Sequence, residues 1–371
     1  MKSVNGHQVI QLFETFSPKA LAVEGDKIGL QIGALNGPVQ KVMIALDVVE
    51  EVVDEAIEKG AQLIIAHHPP IFRPLKKIDT ASPSGQIIKK LIKHDIAVYA
   101  AHTNLDVAKG GVNDLLADAI GLKNQQVLVP TYKETLKKLV VFVPEENAAE
   151  VREALGKAGA GSIGDYSHCS FSSEGAGRFL PGEGTNPHIG KQGSLETVKE
   201  TKIETIYPAS IERQVINAMI KAHPYEEAAY DLYKLENSGE ELGLGKIGYI
   251  EEMSLKDFCD HIKKTLEVER VRVVGDINTK IRKVAVLGGD GNKYFSQAAF
   301  QGADVYVTGD IYYHTAHDAM MLGLNMVDPG HNVEKIMKKG VAQVLGSMCK
   351  DKHYDVEVFP SELNTDPFQF I

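Results

Sequence analysis

Three short stretches of this chain carry side chains that bind divalent cations. Leu63-Ile64-Ile65-Ala66 runs into His67-His68-Pro69-Pro70, and Ile96 to Ala101 runs into His102-Thr103-Asn104-Leu105-Asp106. Far downstream, Gly330-His331-Asn332-Val333-Glu334 adds an imidazole and a carboxylate. Imidazoles and carboxylates suit zinc, manganese, iron or nickel, and a donor set without thiolate favours a site open to water over a closed structural one. Adjacent histidines at a strand end do not readily point both rings at one ion. Each could serve one of two neighbouring ions, with Glu334 bridging them, because His331 and Glu334 are spaced to share a helix face.

Each residue alone has a plainer reading. His67-His68 could be a hydrogen-bonded turn, Asp106 a helix cap, and Glu334 a first-turn carboxylate favoured by the helix dipole. Their joint placement at three strand ends favours metal. Around them, His102 and Asn104 share a tip with Asp106, while Thr308-Gly309-Asp310 and His314 occupy another strand end. His102, Asp310 and His314 are therefore candidates for orienting ligand rings or moving protons; alternatively, Asp310 caps the helix that carries His314 and His317. Gly288-Gly289-Asp290-Gly291 follows a strand and opens a helix, yet matches neither the dinucleotide nor the Walker spacing. It reads as a tight turn that lets a substrate approach the backbone.

These tips need strands to hold them. Val42 to Leu46, Leu63 to Ala66 and Ile96 to Ala101 read as strands buried on both faces, separated by helices at Glu50 to Lys59 and Gly85 to Lys93. From Leu139 the pattern changes to two strand-helix-strand units, with strands at Leu139 to Val143, Thr201 to Tyr207 and Ala228 to Leu235. This predicts an inserted α+β module of the split βαβ, ferredoxin-like type. Alternation then returns: a helix opened by Ser254, and strands at Ile281 to Leu287, Asp304 to Thr308 and Leu324 to Val327. The expected fold class is α/β, a discontinuous main domain of two similar βαβ-rich halves around one sheet (1–130 and 246–371), interrupted by the module at 131–245. In an open α/β sheet ligands bind beyond the carboxyl ends of the strands, which puts all five candidate ligands on one rim.

At 371 residues, 43% of them hydrophobic, the chain has material for about two domains. A formal charge of -10 with no Lys/Arg block leaves no footprint for nucleic acid. No stretch approaches the roughly 20 apolar residues that span a bilayer, and the start lacks a signal-peptide core. Three scattered cysteines, Cys169, Cys259 and Cys349, indicate neither a disulfide framework nor a Cys-rich zinc site. A cytoplasmic location is expected.

In order along the chain, His67-His68-Pro69, Thr103-Asn104-Leu105-Asp106, Thr308-Gly309-Asp310 and Gly330-His331 through Glu334 resemble the Nif-three-like family, often described as GTP cyclohydrolase 1 type 2 homologues. Gly25-Asp26-Lys27-Ile28-Gly29-Leu30 resembles the family's opening motif. The resemblance implies a dinuclear divalent-metal site, zinc foremost, with His67, His68, Asp106, His331 and Glu334 as ligands and Glu334 as the bridge. The step from the last His to the Glu is three residues here and often four in relatives. His223-Pro224-Tyr225-Glu226-Glu227, followed by Tyr230-Asp231, resembles the ending of PII/CutA-like domains, which longer bacterial members carry as an insertion. There His223 and Glu226 read as turn-and-strand structure before they read as ligands. The resemblance also implies self-assembly into ring-shaped hexamers.

Two functions follow as expectations. One is a metal-dependent hydrolase acting through a metal-bound water on a small molecule, possible substrates including a purine nucleotide such as GTP. The other is a metal-binding regulatory or interaction protein whose inserted module senses a small molecule or partner.

Overall fold

Apolar side chains that alternate across a strand can seal two faces at once, and the strand Lys41–Ala45 does so. Val42 and Ile44 enter one core while Met43 and Ala45 enter another. The computed structural model describes residues 2–369 and 371, and the chain divides into two units, Met1–Tyr132 with Leu242–Ile371, and Lys133–Glu241.

In the first unit, a five-stranded sheet has the order Glu357–Pro360, Lys41–Ala45, Leu63–Ala66, Ala97–Ala100, Gly29–Ile32. Its strands are parallel except for Gly29–Ile32, which runs antiparallel to Ala97–Ala100. A second set of strands runs Arg272–Val274, Asn325–Asp328, Val305–Gly309, Lys280–Asp290. Its last three strands are mutually parallel, and residues 246–254 of the long strand Tyr230–Ser254 pair antiparallel to Lys280–Asp290. The outer segments thus do not share one sheet, which corrects the single-sheet expectation. Helices are the reason: Gly6–Phe16, Val112–Ile120, Leu255–Thr265 and Ile336–Asp351 fill one core with Ile44, Ile65 and Tyr99 of the first sheet and Val284, Val305 and Val327 of the second. Glu50–Lys59 and Pro83–Lys93 cover the far face of the first sheet. Phe295–Phe300 and Tyr313–Met321 cover that of the second.

Local signals account for the helix limits. Asn5 and Gln8 form a reciprocal capping box at Gly6–Phe16. Ser82 caps Pro83–Lys93, with Pro at the position where a missing N–H costs nothing. Ser254 Oγ accepts from Asp257 N at 3.1 Å, the cap expected from the sequence. Gly60 ends Glu50–Lys59 at φ 70°, a conformation glycine takes without strain.

The second unit holds residues 133–144 of Lys123–Pro144, helix Ala148–Lys157, strands Phe171–Phe179 and Glu196–Pro208, helix Glu212–Ala222, and residues 230–241 of Tyr230–Ser254. In space the four strands run fourth, first, third, second, with antiparallel pairing of the first to the third and of the second to the third. Both helices pack on one face, burying Val151, Leu155, Val215 and Met219 against Leu139, Val141 and Ile203. Among the described residues no helix is long and apolar enough to cross a membrane.

Candidate metal centre

His67 and His68 are held by an extension of the parallel ladder. Their backbone N–H groups donate to Ala45 O at 3.0 Å and Leu46 O at 2.9 Å, and Ala101 N donates to Ala66 O. This brings the Ala101 carbonyl within 3.0 Å of His67 Nδ1. With Nδ1–H donating there, Nε2 is the nitrogen left to face Asp106 and Glu334. His67 is wholly buried, and its Nε2 lies 3.6 Å from Asp106 Oδ1 and 3.7 Å from Glu334 Oε2, too far for hydrogen bonds. Both His67 Nε2 and Asp106 Oδ1 are sealed from water without a partner. Of the four such side-chain atoms among the described residues, these two face each other.

His68 adopts the complementary arrangement. Nδ1 meets Asp47 Oδ1 at 2.6 Å and Nε2 meets Glu334 Oε2 at 3.0 Å. His331 repeats it, with Nδ1 on Asp310 Oδ2 at 2.6 Å and Nε2 on Glu334 Oε2 at 3.2 Å. His331–Lys335 is a turn of 3-10 helix, in which residues three apart eclipse, so the three-residue step stacks His331 over Glu334. Ligand atoms converge in three overlapping groups: His67, Asp106 and Glu334; His68, His331 and Glu334; and His67, His68 and His102. All five candidate ligands therefore meet in the first unit, with Glu334 common to two of the groups.

The electrostatics follow from burial and neighbours. Burial pushes the Asp106 carboxyl up to about 6. Burial acts on Glu334 in the same sense, but the charge of His67 and the bonds from His331 and His68 hold it well below the usual carboxylate range. Burial opposes charge on His68, yet the bonds to Asp47 and Glu334 outweigh it and push the ring up to about 10. The Glu334 bond, working against burial, pushes His331 up to about 9. Protons on these rings occupy the places that divalent cations would take.

His102 Nδ1 bonds Asp26 Oδ1 at 2.9 Å, and Asp26 Oδ2 accepts from Thr103 N and Thr103 Oγ1. Burial would raise the Asp26 carboxyl, but the bonds from His102 and Thr103 prevail and hold it far down. His102 Nε2 has no hydrogen bond among the described residues, and its ring lies 5.2 Å from that of His67. Asp310 sits at φ 54°, a left-handed conformation that Asp tolerates better than most residues, and this aims its carboxylate at His331. Its backbone carbonyl is fixed by Asn292 Nδ2 at 2.8 Å. His314 stands apart from this group: it is exposed on Tyr313–Met321 and its ring contact is with Tyr313. The helix rotates it outward.

Three further residues belong to the centre beyond the candidates named from the sequence. Asp47 lies just beyond Lys41–Ala45, and an acidic residue past a buried strand was the available signal. Asp26 lies within the Gly25–Leu30 motif. Asn113 is buried at 0% exposure and bridges the two halves, Nδ2 donating to Asp106 O at 3.0 Å and Oδ1 accepting from Gly288 N at 2.9 Å. The glycine run also makes room for side chains of the centre. A Cβ on Gly289, at φ 63°, would lie 2.7 Å from Glu334 Oε1 and 3.2 Å from His331 Nε2, so the bare backbone admits ligands of this centre. A carboxylate shared by two donor sets, beside two unpartnered buried atoms, is an arrangement that could hold metal.

The whole chain has relatives. A Bacillus subtilis protein named GTP cyclohydrolase 1 type 2 homolog is 63% identical over 371 residues, covering 100% of both chains. The crystal structure of a Bacillus cereus protein related to NIF3 superposes with a TM-score of 0.96 at 64% identity, again over 100% of both chains. That of the Staphylococcus aureus protein SA1388 gives 0.77 at 35% identity over 100% of both. The profile of the Duf34/NIF3 (NGG1p interacting factor 3) family matches residues 4–367. On this evidence the chain belongs to the Duf34/NIF3 family.

Proposed function

We propose that this protein is a hydrolase that works at a pair of divalent cations, with His67, Asp106 and Glu334 holding one and His68, His331 and Glu334 the other. The observation that supports this most is the pair of sealed, unpartnered atoms, His67 Nε2 and Asp106 Oδ1, beside a shared carboxylate. Cations bound there would polarise a substrate oxygen and make hydroxide accessible from water at neutral pH. Zinc comes first among the suitable ions, with iron, manganese or nickel matching the same donors.

The chain's own groups then have separable tasks. Asp47 and Asp310 hold the His68 and His331 rings by Nδ1, leaving Nε2 to face the centre. Asp26 does the same for His102, whose Nε2 is free to take a proton from the attacking water and return it to the leaving group. Asn113 and the glycine run keep the two halves in register. The naming of the relatives makes a purine nucleotide such as GTP the first substrate to try. To the same reading belong a PII/CutA-like identity for residues 131–245, assembly into ring-shaped hexamers and a cytoplasmic location, which rest on the family resemblance.

The test is to purify the protein without chelator, count bound metals, and assay hydrolysis of nucleotides and simple phosphoesters by wild type and His67→Ala. About two ions per chain, with turnover that His67→Ala lowers at least about 100-fold, is the expected result for loss of a metal-ion function. Two retained ions with no metal-dependent turnover on any of these substrates would sink the hydrolase reading.

A further inference from the structure

The second unit contains a cavity of about 450 Å³, remote in sequence from every metal-centre residue. That volume is in the range of small-molecule sites. Its walls are aromatic and apolar, with Phe142, Phe179 and Tyr225 among the lining residues and Pro181, Pro187 and Ile189 completing much of the rest. Tyr225 is the hub, with ring centroids 5.7 Å from Phe179, 6.2 Å from His188 and 5.2 Å from His223. Leu180, at the same cavity, is 60% exposed.

The polar lining is dominated by one sign. Glu200, Glu226 and Glu227 face a single cationic group, Arg178. Glu200 is built into the wall: it accepts from Tyr225 OH at 3.3 Å, and a Cβ on Gly177 would lie 2.0 Å from its Oε2, so the glycine leaves room for the carboxylate. Glu226 accepts from Asn186 N at 3.0 Å. Glu227 is exposed and has neither ion pair nor hydrogen bond among the described residues. A metal is a poor match. His223 uses both ring nitrogens internally, on Phe142 O at 2.9 Å and Tyr225 N at 3.1 Å. Among the described residues no three metal-ligating atoms converge there.

Aromatic faces carry negative potential and attract cations, the more so when carboxylates stand beside them. We propose that this cavity binds a small organic cation, an amine carried on a flat apolar body, with the body among Phe142, Phe179 and Tyr225 and the ammonium at Glu200. This site is separate from the metal centre and independent of the hydrolase reading.

The test uses the full-length protein and three probes that differ in one group: phenethylamine, phenethyl alcohol and phenylacetate. Binding is measured by titration calorimetry and ligand-observed NMR. Phenethylamine should bind saturably, and the neutral and anionic probes about tenfold more weakly or worse, the size of one charge-assisted contact. Glu200→Gln and Tyr225→Leu should each weaken the amine by about fivefold or more, with bound metal unchanged as a check on folding. Should Glu200→Gln fail to fold, Glu200→Asp, which keeps the charge but withdraws it by one methylene, should weaken the amine in its place. Tighter binding of phenylacetate, equal binding of all three probes, an amine affinity indifferent to these substitutions, or no saturable binding in the millimolar range would each overturn the proposal.

Discussion

A nitrogen and an oxygen shut away from water with nothing to bond are unusual, because leaving one such group unsatisfied costs on the order of 1–3 kcal/mol. His67 Nε2 and Asp106 Oδ1 both carry that cost unless a cation joins them. Stripping divalent ions should therefore lower the melting temperature, and restoring them at about 100 times their Kd should regain about 2.7 kcal/mol; scanning calorimetry with and without chelator reads this directly. The supporting aspartates allow a finer test. Asp310→Asn keeps the shape and the tolerance of a left-handed backbone, but removes the charge beside His331 Nδ1. Metal affinity should fall about 10–100-fold, as when such ring-orienting partners are lost elsewhere, and competition against a chelator of known strength would show it. A variant that holds both ions as tightly as wild type would remove Asp310 from the centre.

At the scale of elements, the glycine run and the C-terminal segment show how backbone placement governs the centre. Gly289→Ala puts a methyl 2.7 Å from Glu334 Oε1 on a backbone at φ 63°. A cost of about 1–2 kcal/mol from the left-handed conformation, together with loss of bound metal, is expected from melting curves and metal analysis. The segment after Glu357–Pro360 is tied down by Glu55, whose Oε2 accepts from Ser361 Oγ and whose Oε1 accepts from Glu362 N at 2.9 Å. Further along, Thr365 Oγ1 donates to Asp47, the partner of His68. Burial would raise the Glu55 carboxyl, but bonds from Glu362, Ser361 and Lys59 prevail and lower it. Because the folded value lies below the ordinary 4.5, this contribution to stability is full above that pH and fades as pH falls through the lower folded value. Glu55→Gln should flatten that part of the acid limb in melts taken at successive pH values, and an unchanged limb would count against the tether.

What could be read from the sequence followed from periodicity. Glu50–Lys59 and Leu63–Ala66 are the spans that their apolar spacing and the terminal Gly60 predict, and the histidines and Asp106 could be placed because each lies within a few residues of the end of a buried strand. Less visible were contacts made across the chain. Asp47 and Asp26 act through rings more than 20 residues away, so their roles show only once the chain is folded. Helix Ile336–Asp351 holds Gly340 and Gly346 within its span, which blurs its pattern, so its place among the four helices separating the sheets was not anticipated. The single-sheet expectation failed for that reason. His314 was misjudged as to direction, since a strand-end position does not say which way the following helix turns.

For the molecule as a whole, every metal-centre residue lies in Met1–Tyr132 or Leu242–Ile371, and none in Lys133–Glu241. The two cut ends of that first unit are neighbours: a Cβ on Gly243 would lie 2.0 Å from Val129 O. A short Gly/Ser link joining Tyr132 to Leu242 should therefore give a folded protein that still retains two ions, checked by circular dichroism and metal analysis. Failure to fold, or loss of the ions, would show that the inserted residues support the centre. The position of Glu357–Pro360 has a consequence for biosynthesis. This strand pairs in parallel with Lys41–Ala45, which precedes it by most of the sequence. Synthesis from the N-terminal side therefore makes residues 133–241, which pair with one another, before Glu357–Pro360, and the Lys41–Ala45 edge stays unpaired until that strand follows. A truncation that removes residues 357–371 should therefore leave the Lys41–Ala45 edge unpaired and the protein aggregation-prone there.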